Sequence, residues 1–101
     1  MNNLVCTAFI LSQPKLKRLK SKCLCYMLID LYNFRDGMLN LKAIGFAKST
    51  VAKKIFDMYN QKNRVIIEGS IYIKKIQFTK NCNIKSKKIY LKINKIYNLY
   101  N

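Results

Sequence analysis

Along most of the chain apolar residues recur at every second position, the period of a half-buried β-strand. Residues 3–11 (NLVCTAFIL) are apolar and rich in strand formers, and they end at Ser12-Gln13-Pro14, a breaker that stops strand pairing. Residues 15–22 (KLKRLKSK) carry five positive charges, with Leu16 and Leu19 three apart. A short basic helix would have that spacing, but a strand extension running into a turn fits the length better. In residues 23–33 Cys23, Cys25, Met27, Ile29 and Leu31 alternate with Leu24, Tyr26, Leu28, Asp30 and Tyr32, and the first set reads as core. Asp36-Gly37 supplies a turn, and residues 39–46 form a third strand with both faces partly apolar.

From Ala47 to about Tyr59 the period changes. Val51, Ala52, Ile55, Phe56 and Tyr59 recur at three and four, which predicts a helix with its apolar side in the core and Ser49 or Thr50 as cap. The polar run Asn60-Gln61-Lys62-Asn63 ends it. Residues 64–78 form a long strand, with Ile67, Gly69, Ile71 and Ile73 on one face and Tyr72, Lys74, Ile76 and Phe78 on the other. Gly69 in mid-strand predicts a bulge or sharp bend. Residues 79–88 read as a basic loop and residues 89–96 as a fifth strand. Three strands, a helix and two strands is the order of a five-stranded OB-fold Greek-key barrel, mainly β, with one helix between strands three and four. Periodicity alone leaves other small α+β folds open. The 101 residues suit one domain, 1–101, and a core this small would gain from self-association.

Charge narrows the partner class. Twenty Lys and Arg stand against Asp30, Asp36, Asp57 and Glu68, a formal charge of +16 that attracts polyanions. Lysine, asparagine, isoleucine, tyrosine and phenylalanine all have A/T-rich codons, so part of the basicity is attributable to base composition. That bias accounts for Lys over Arg more readily than for the scarcity of acids. There is no histidine, no Cys-x-x-Cys pair among Cys6, Cys23, Cys25 and Cys82, and no Gly-rich phosphate loop. These features argue against an enzyme, a metal site or any cofactor. The apolar run Leu4–Leu11 lacks the flanks of a signal peptide, and Asp30 interrupts the longest apolar candidate for a membrane span. A soluble protein acting where it is made, with no membrane partner, is expected.

Several segments resemble the single-stranded DNA-binding proteins (SSBs) of bacteria and plastids. Residues 3–11 with Pro14 are similar to the family's first strand and its x-x-D-P turn, with Gln13 in place of the usual Asp and Ala8 in place of a glycine. Residues 41–48 (LKAIGFAK) resemble the R-V-V-x-[WF]-G-K segment, and residues 51–59 its helix. Most specific is the segment Arg64-Val65-Ile66-Ile67-Glu68-Gly69-Ser70-Ile71, which resembles the V-x-[IV]-E-G-x-[LI] signature that follows that helix. The likeness covers about residues 3–78 and extends to a short SSB-like reading frame of algal plastid genomes. It implies an OB barrel, sequence-independent single-stranded DNA binding in organellar replication or repair, a homo-oligomer (dimer or tetramer), and a plastid (chloroplast) location. Otherwise it implies the cytoplasm of an A/T-rich bacterium. The chain ends in Tyr97-Asn98-Leu99-Tyr100-Asn101, without the acidic tail by which bacterial SSBs recruit enzymes, so that route to partners is expected to be absent.

Single strands are held by cations on phosphates and by aromatic faces under the bases. Lys42 and Phe46 share a face of strand three, and Tyr72, Lys74 and Phe78 share one of strand four. If the opposite faces fill the barrel, these line a groove, with Tyr32 and Phe34 at one rim. By resemblance, Phe46 falls on the stacking aromatic of the [WF]-G-K segment, Lys48 on its lysine, and Phe34 near the aromatic that follows strand two. Asn40 and Ile76 stand where the family has two further aromatics, so binding is expected to be weakened unless Tyr72 and Phe78 compensate. Phe46 could instead cover the barrel end. An SSB-like interaction protein of a replication complex, comparable to the primosomal replication protein N, and an organellar RNA-binding protein are the competing readings; an OB groove accepts RNA as readily as DNA.

Overall fold

A computed structural model describes residues 3–32, 40–77 and 85–99. The period-two segments form β1 (Leu4–Ile10), β2 (Lys15–Leu19), β3 (Lys22–Tyr32), β4 (Asn40–Lys48), β5 (Arg64–Gln77) and β6 (Lys85–Asn98), with the helix α1 (Ser49–Met58) between β4 and β5. The sheet order is β1-β5-β6-β4-β3-β2, and an additional β1–β3 pairing closes it into a barrel. This is the expected OB architecture.

The basic segment after Pro14 is a strand of its own. β1 and β2 both pair along one edge of β3, Ile10 opposite Ile29 and Lys15 opposite Tyr26, so they act as one long strand broken by residues 11–14. The break is satisfied locally: Leu11 N–H donates to the Leu28 carbonyl at 2.8 Å, and Leu28 N–H donates to Ser12 Oγ at 2.8 Å. The strand-then-turn reading of residues 15–22 holds, with the turn at Lys20 in left-handed backbone, φ 47°.

Cys25, Met27, Ile29 and Leu31 of β3 fill the barrel with Ala8, Ile10, Ala43, Ala47, Val65, Ile67, Leu91, Ile93 and Ile96. Burial pushes the Cys6 and Cys25 thiols up to about 11. α1 packs against β2, β3, β4 and β6 through Ala52 and Ile55, and the buried Tyr59 hydroxyl donates to the Ile96 carbonyl at 3.2 Å. Phe56, assigned to the core by its spacing, is instead 44% exposed, since only a narrow stripe of so short a helix meets the barrel. The helix also starts later than its pattern. Leu24 opposite Lys48 keeps β4 in the sheet through Lys48, which is the N-cap and makes no side-chain capping bond; Ser49 turns the chain with φ 58°.

Gly69 marks a bulge, as its position predicts. Glu68 pairs with Lys95 and Gly69 with Ile93, leaving Asn94 as the extra residue, and a Cβ on Gly69 would overlap the Lys92 carbonyl oxygen. β6 begins at Lys85 rather than 89 because Lys85–Lys88 continue the ladder with Lys74–Gln77. Out on that β5–β6 arm the inward face loses its cover, so Ile73 is 61% exposed although it continues the Ile67-Gly69-Ile71 face. β4 and β6 meet in parallel over three residue pairs, Ile44 with Tyr90, Gly45 with Leu91 and Phe46 with Lys92. That short seam brings the third-strand aromatic against the last strand.

Candidate nucleic-acid interface

Residues opposite one another on paired strands share a face, so the register sorts the outer surface into rows that cross the sheet. One row runs Lys15, Tyr26, Phe46, Lys92 and Ser70 over β2, β3, β4, β6 and β5. The next runs Leu28, Ile44, Tyr90 and Tyr72. Four aromatics thus converge because core residues alternate with them: Cys25, Ala47, Leu91 and Ile71 turn inward as Tyr26, Phe46, Tyr90 and Tyr72 turn outward.

Between the rows lies an open groove of about 500 Å³, lined by Tyr26, Phe46, Tyr72 and Tyr90 with Leu24 and Ile44, and edged by Lys48 and Lys74. Tyr26 is 40% and Tyr72 48% exposed, so both side chains are accessible from outside the barrel. Tyr90 is held from two sides. Phe46 meets it edge-on, with ring centroids 6.5 Å apart at 74°, and the Lys74 ammonium lies 5.3 Å from its ring centroid. Flat rings rimmed by ammonium groups can stack bases and neutralise phosphates together.

No protein-family model matches the sequence, and no curated protein matches it. Solved structures do. The SSB domain of a Synechococcus protein superposes with a TM-score of 0.73 at 15% identity, over 96% of this chain and 94% of that one. The second single-stranded DNA-binding protein (SSBb) of Mycobacterium smegmatis gives a TM-score of 0.72 at 11% identity, over 96% and 87%. The fold is that of an SSB domain. On this SSB fold the aromatic groove occupies the outer face of β3, β4, β5 and β6, while the helix sits at the barrel end beyond Lys48.

Of the residues predicted for the site, Phe46, Lys48, Tyr72 and Lys74 line this groove together. Lys42 is exposed on the same face but lines a neighbouring cleft of about 210 Å³ with Leu28, Ala43, Ile44, Lys88 and Ile89. The backbone of Tyr32 ends β3 opposite Thr7 and Asn40; its side chain, like all of Phe34 and Phe78, lies outside the described residues. Phe46 is half-buried and points away from the barrel interior, so it does not cover the barrel end. Tyr26 and Tyr90 were missed. Tyr26 stood in the non-core set of strand two, a usable signal; Tyr90 becomes part of the site only through the parallel seam, which no local pattern announces.

Proposed function

We propose that this protein binds single-stranded DNA without reading its sequence, by stacking bases on Tyr26, Phe46, Tyr72 and Tyr90 and neutralising phosphates with lysines around them. The observation that carries the reading is the groove itself: four outward rings in two adjacent rows, with cations at its edges. Rings and ammonium groups accept any base and any phosphate, so sequence independence follows from the chemistry. The formal charge of +16 supplies long-range attraction to a polyanion. The fold shared with proteins described as SSBs supports the same reading. The missing third-strand and fourth-strand aromatics of the SSB pattern have substitutes here in Tyr26 and Tyr90.

The role is in replication or repair of an A/T-rich organellar genome, a plastid by the residue usage and the sequence likeness. The working form is a homo-oligomer. Leu4–Cys6 pair only with β5, and the outer edge of β2 has no partner among the described residues, so strand edges are free for assembly. Competition among poly-dT, poly-U of equal length and duplex DNA tests the reading. Preference for poly-dT over duplex is the expected result. Preference for poly-U would move the protein to RNA, and indifference between single strands and duplex would refute base stacking.

A further inference from the structure

One row of the outer face remains. Lys74 lies opposite Lys88 on the β5–β6 ladder, and Lys88 shares the cleft beside β4 with Lys42, where the parallel seam ends and β4 and β6 part. Lys42, Lys88 and Lys74 therefore stand level on three adjacent strands, all exposed. Like charges directly opposite on paired strands are destabilising. None of the three forms an ion pair: among the described residues the ion pair formed is Lys95 with Glu68, on another row, and Asp30, in register with Lys42, keeps a buried Oδ1 without a partner. Lys74 leans over the Tyr90 ring. A row of cations without carboxylate partners costs stability, and a row of anions would offset that cost.

We propose that Lys42, Lys88 and Lys74 form the phosphate track of the bound strand, which fixes its direction across the barrel. The inference rests on the single-strand reading above and adds to it a residue, Lys88, and an orientation. Two strand-to-strand steps of roughly 4.8 Å carry the row over about 10 Å, the length of about three nucleotide steps of a stacked strand at ~3.4 Å each. The aromatic rows lie to one side, toward Lys48 and α1. The backbone consequently crosses the strands from β4 over β6 to β5, and the bases point toward the helix end of the groove.

The test is salt-dependent binding to poly-dT and to an abasic deoxyribose-phosphate strand of equal length, with Lys88→Gln, the triple variant K42Q/K74Q/K88Q, and Lys53→Gln/Lys54→Gln on the exposed side of α1 as a control for lost charge. Lys88→Gln should flatten the slope of log affinity against log salt by about 0.7 on both strands, and the triple variant by about 2, while the helix control leaves it unchanged. Because a like-charge contact is removed, Lys88→Gln should not lower the melting temperature. A full slope for Lys88→Gln, or equal flattening by the helix control, would overturn the track and leave single-strand binding standing. Wild-type protein that fails to bind poly-dT would instead overturn the functional reading and the track with it.

Discussion

Replacing Phe46 by alanine separates stacking from charge. The ring is half-buried on the outer face and meets Tyr90 edge-on, so on the proposed reading its removal takes away one stacking platform and one support of a second. A stacked base contributes roughly 1–3 kcal/mol, which is a loss of about 5- to 150-fold in affinity for poly-dT. The salt slope should stay at its wild-type value, since a ring neutralises no phosphate. Removing a fully buried Phe costs about 3–5 kcal/mol of stability, and this half-exposed ring should cost nearer the lower end or less. Fluorescence anisotropy with labelled dT oligomers at several salt concentrations reads affinity and slope, and circular dichroism reads the fold. Phe46→Leu guards against trivial unfolding: it keeps apolar cover for Tyr90 but offers no ring, so it should fold like wild type and bind like the alanine variant. If either variant is folded and binds within about twofold of wild type, the ring carries no base and the stacking argument fails.

Gly69→Ala should destabilise severely or abolish soluble expression, because its Cβ would meet the Lys92 carbonyl. Gly45→Ala meets the flexible Cδ1 ends of Ile29 and Ile93, each at 3.2 Å, with Ile29 Cγ2 in ordinary contact at 3.5 Å, and should cost about 1–3 kcal/mol in urea melts. Tyr59→Phe removes the buried hydroxyl bond to Ile96 and should cost about 0.5–1.5 kcal/mol with no change in DNA affinity. The Cys6 and Cys25 thiols, raised to about 11 by burial, hold their protons more tightly folded than unfolded. Their contribution to stability is full below the ordinary thiol range and is lost as pH rises toward 11, so the melting temperature should fall between about pH 9 and 11 and less steeply in a Cys6→Ala/Cys25→Ala variant.

The strands and their inward faces were readable because period-two alternation survives in nearly every segment; Cys25, Met27, Ile29 and Leu31 sit where alternation puts them. Gly69 announced its bulge because a glycine amid β-branched residues has few other uses. Readability failed where a neighbour in space decides. The end of β4 and the start of β6 were misjudged since Lys48 and Lys85–Lys88 are polar and are held only by Leu24 and by Lys74–Gln77. Phe46, Tyr72 and Lys74 could be placed on one face from their own strands. Tyr90 could not, for its membership depends on β4 meeting β6 across more than forty residues of intervening chain.

That seam also bears on how the molecule assembles in time. Among the described residues every other ladder is antiparallel and longer, whereas β4 and β6 are joined by three parallel pairs between segments distant in sequence. Closing a loop of that length for so few bonds is a step that topology makes slow. Phe46 and Tyr90 sit on opposite sides of it, so the groove does not exist in an intermediate that has formed every hairpin but left the seam open. During refolding, competence to capture a single strand should therefore lag the gain of strand content, and a bound strand spanning both sides would act as a clasp on that seam.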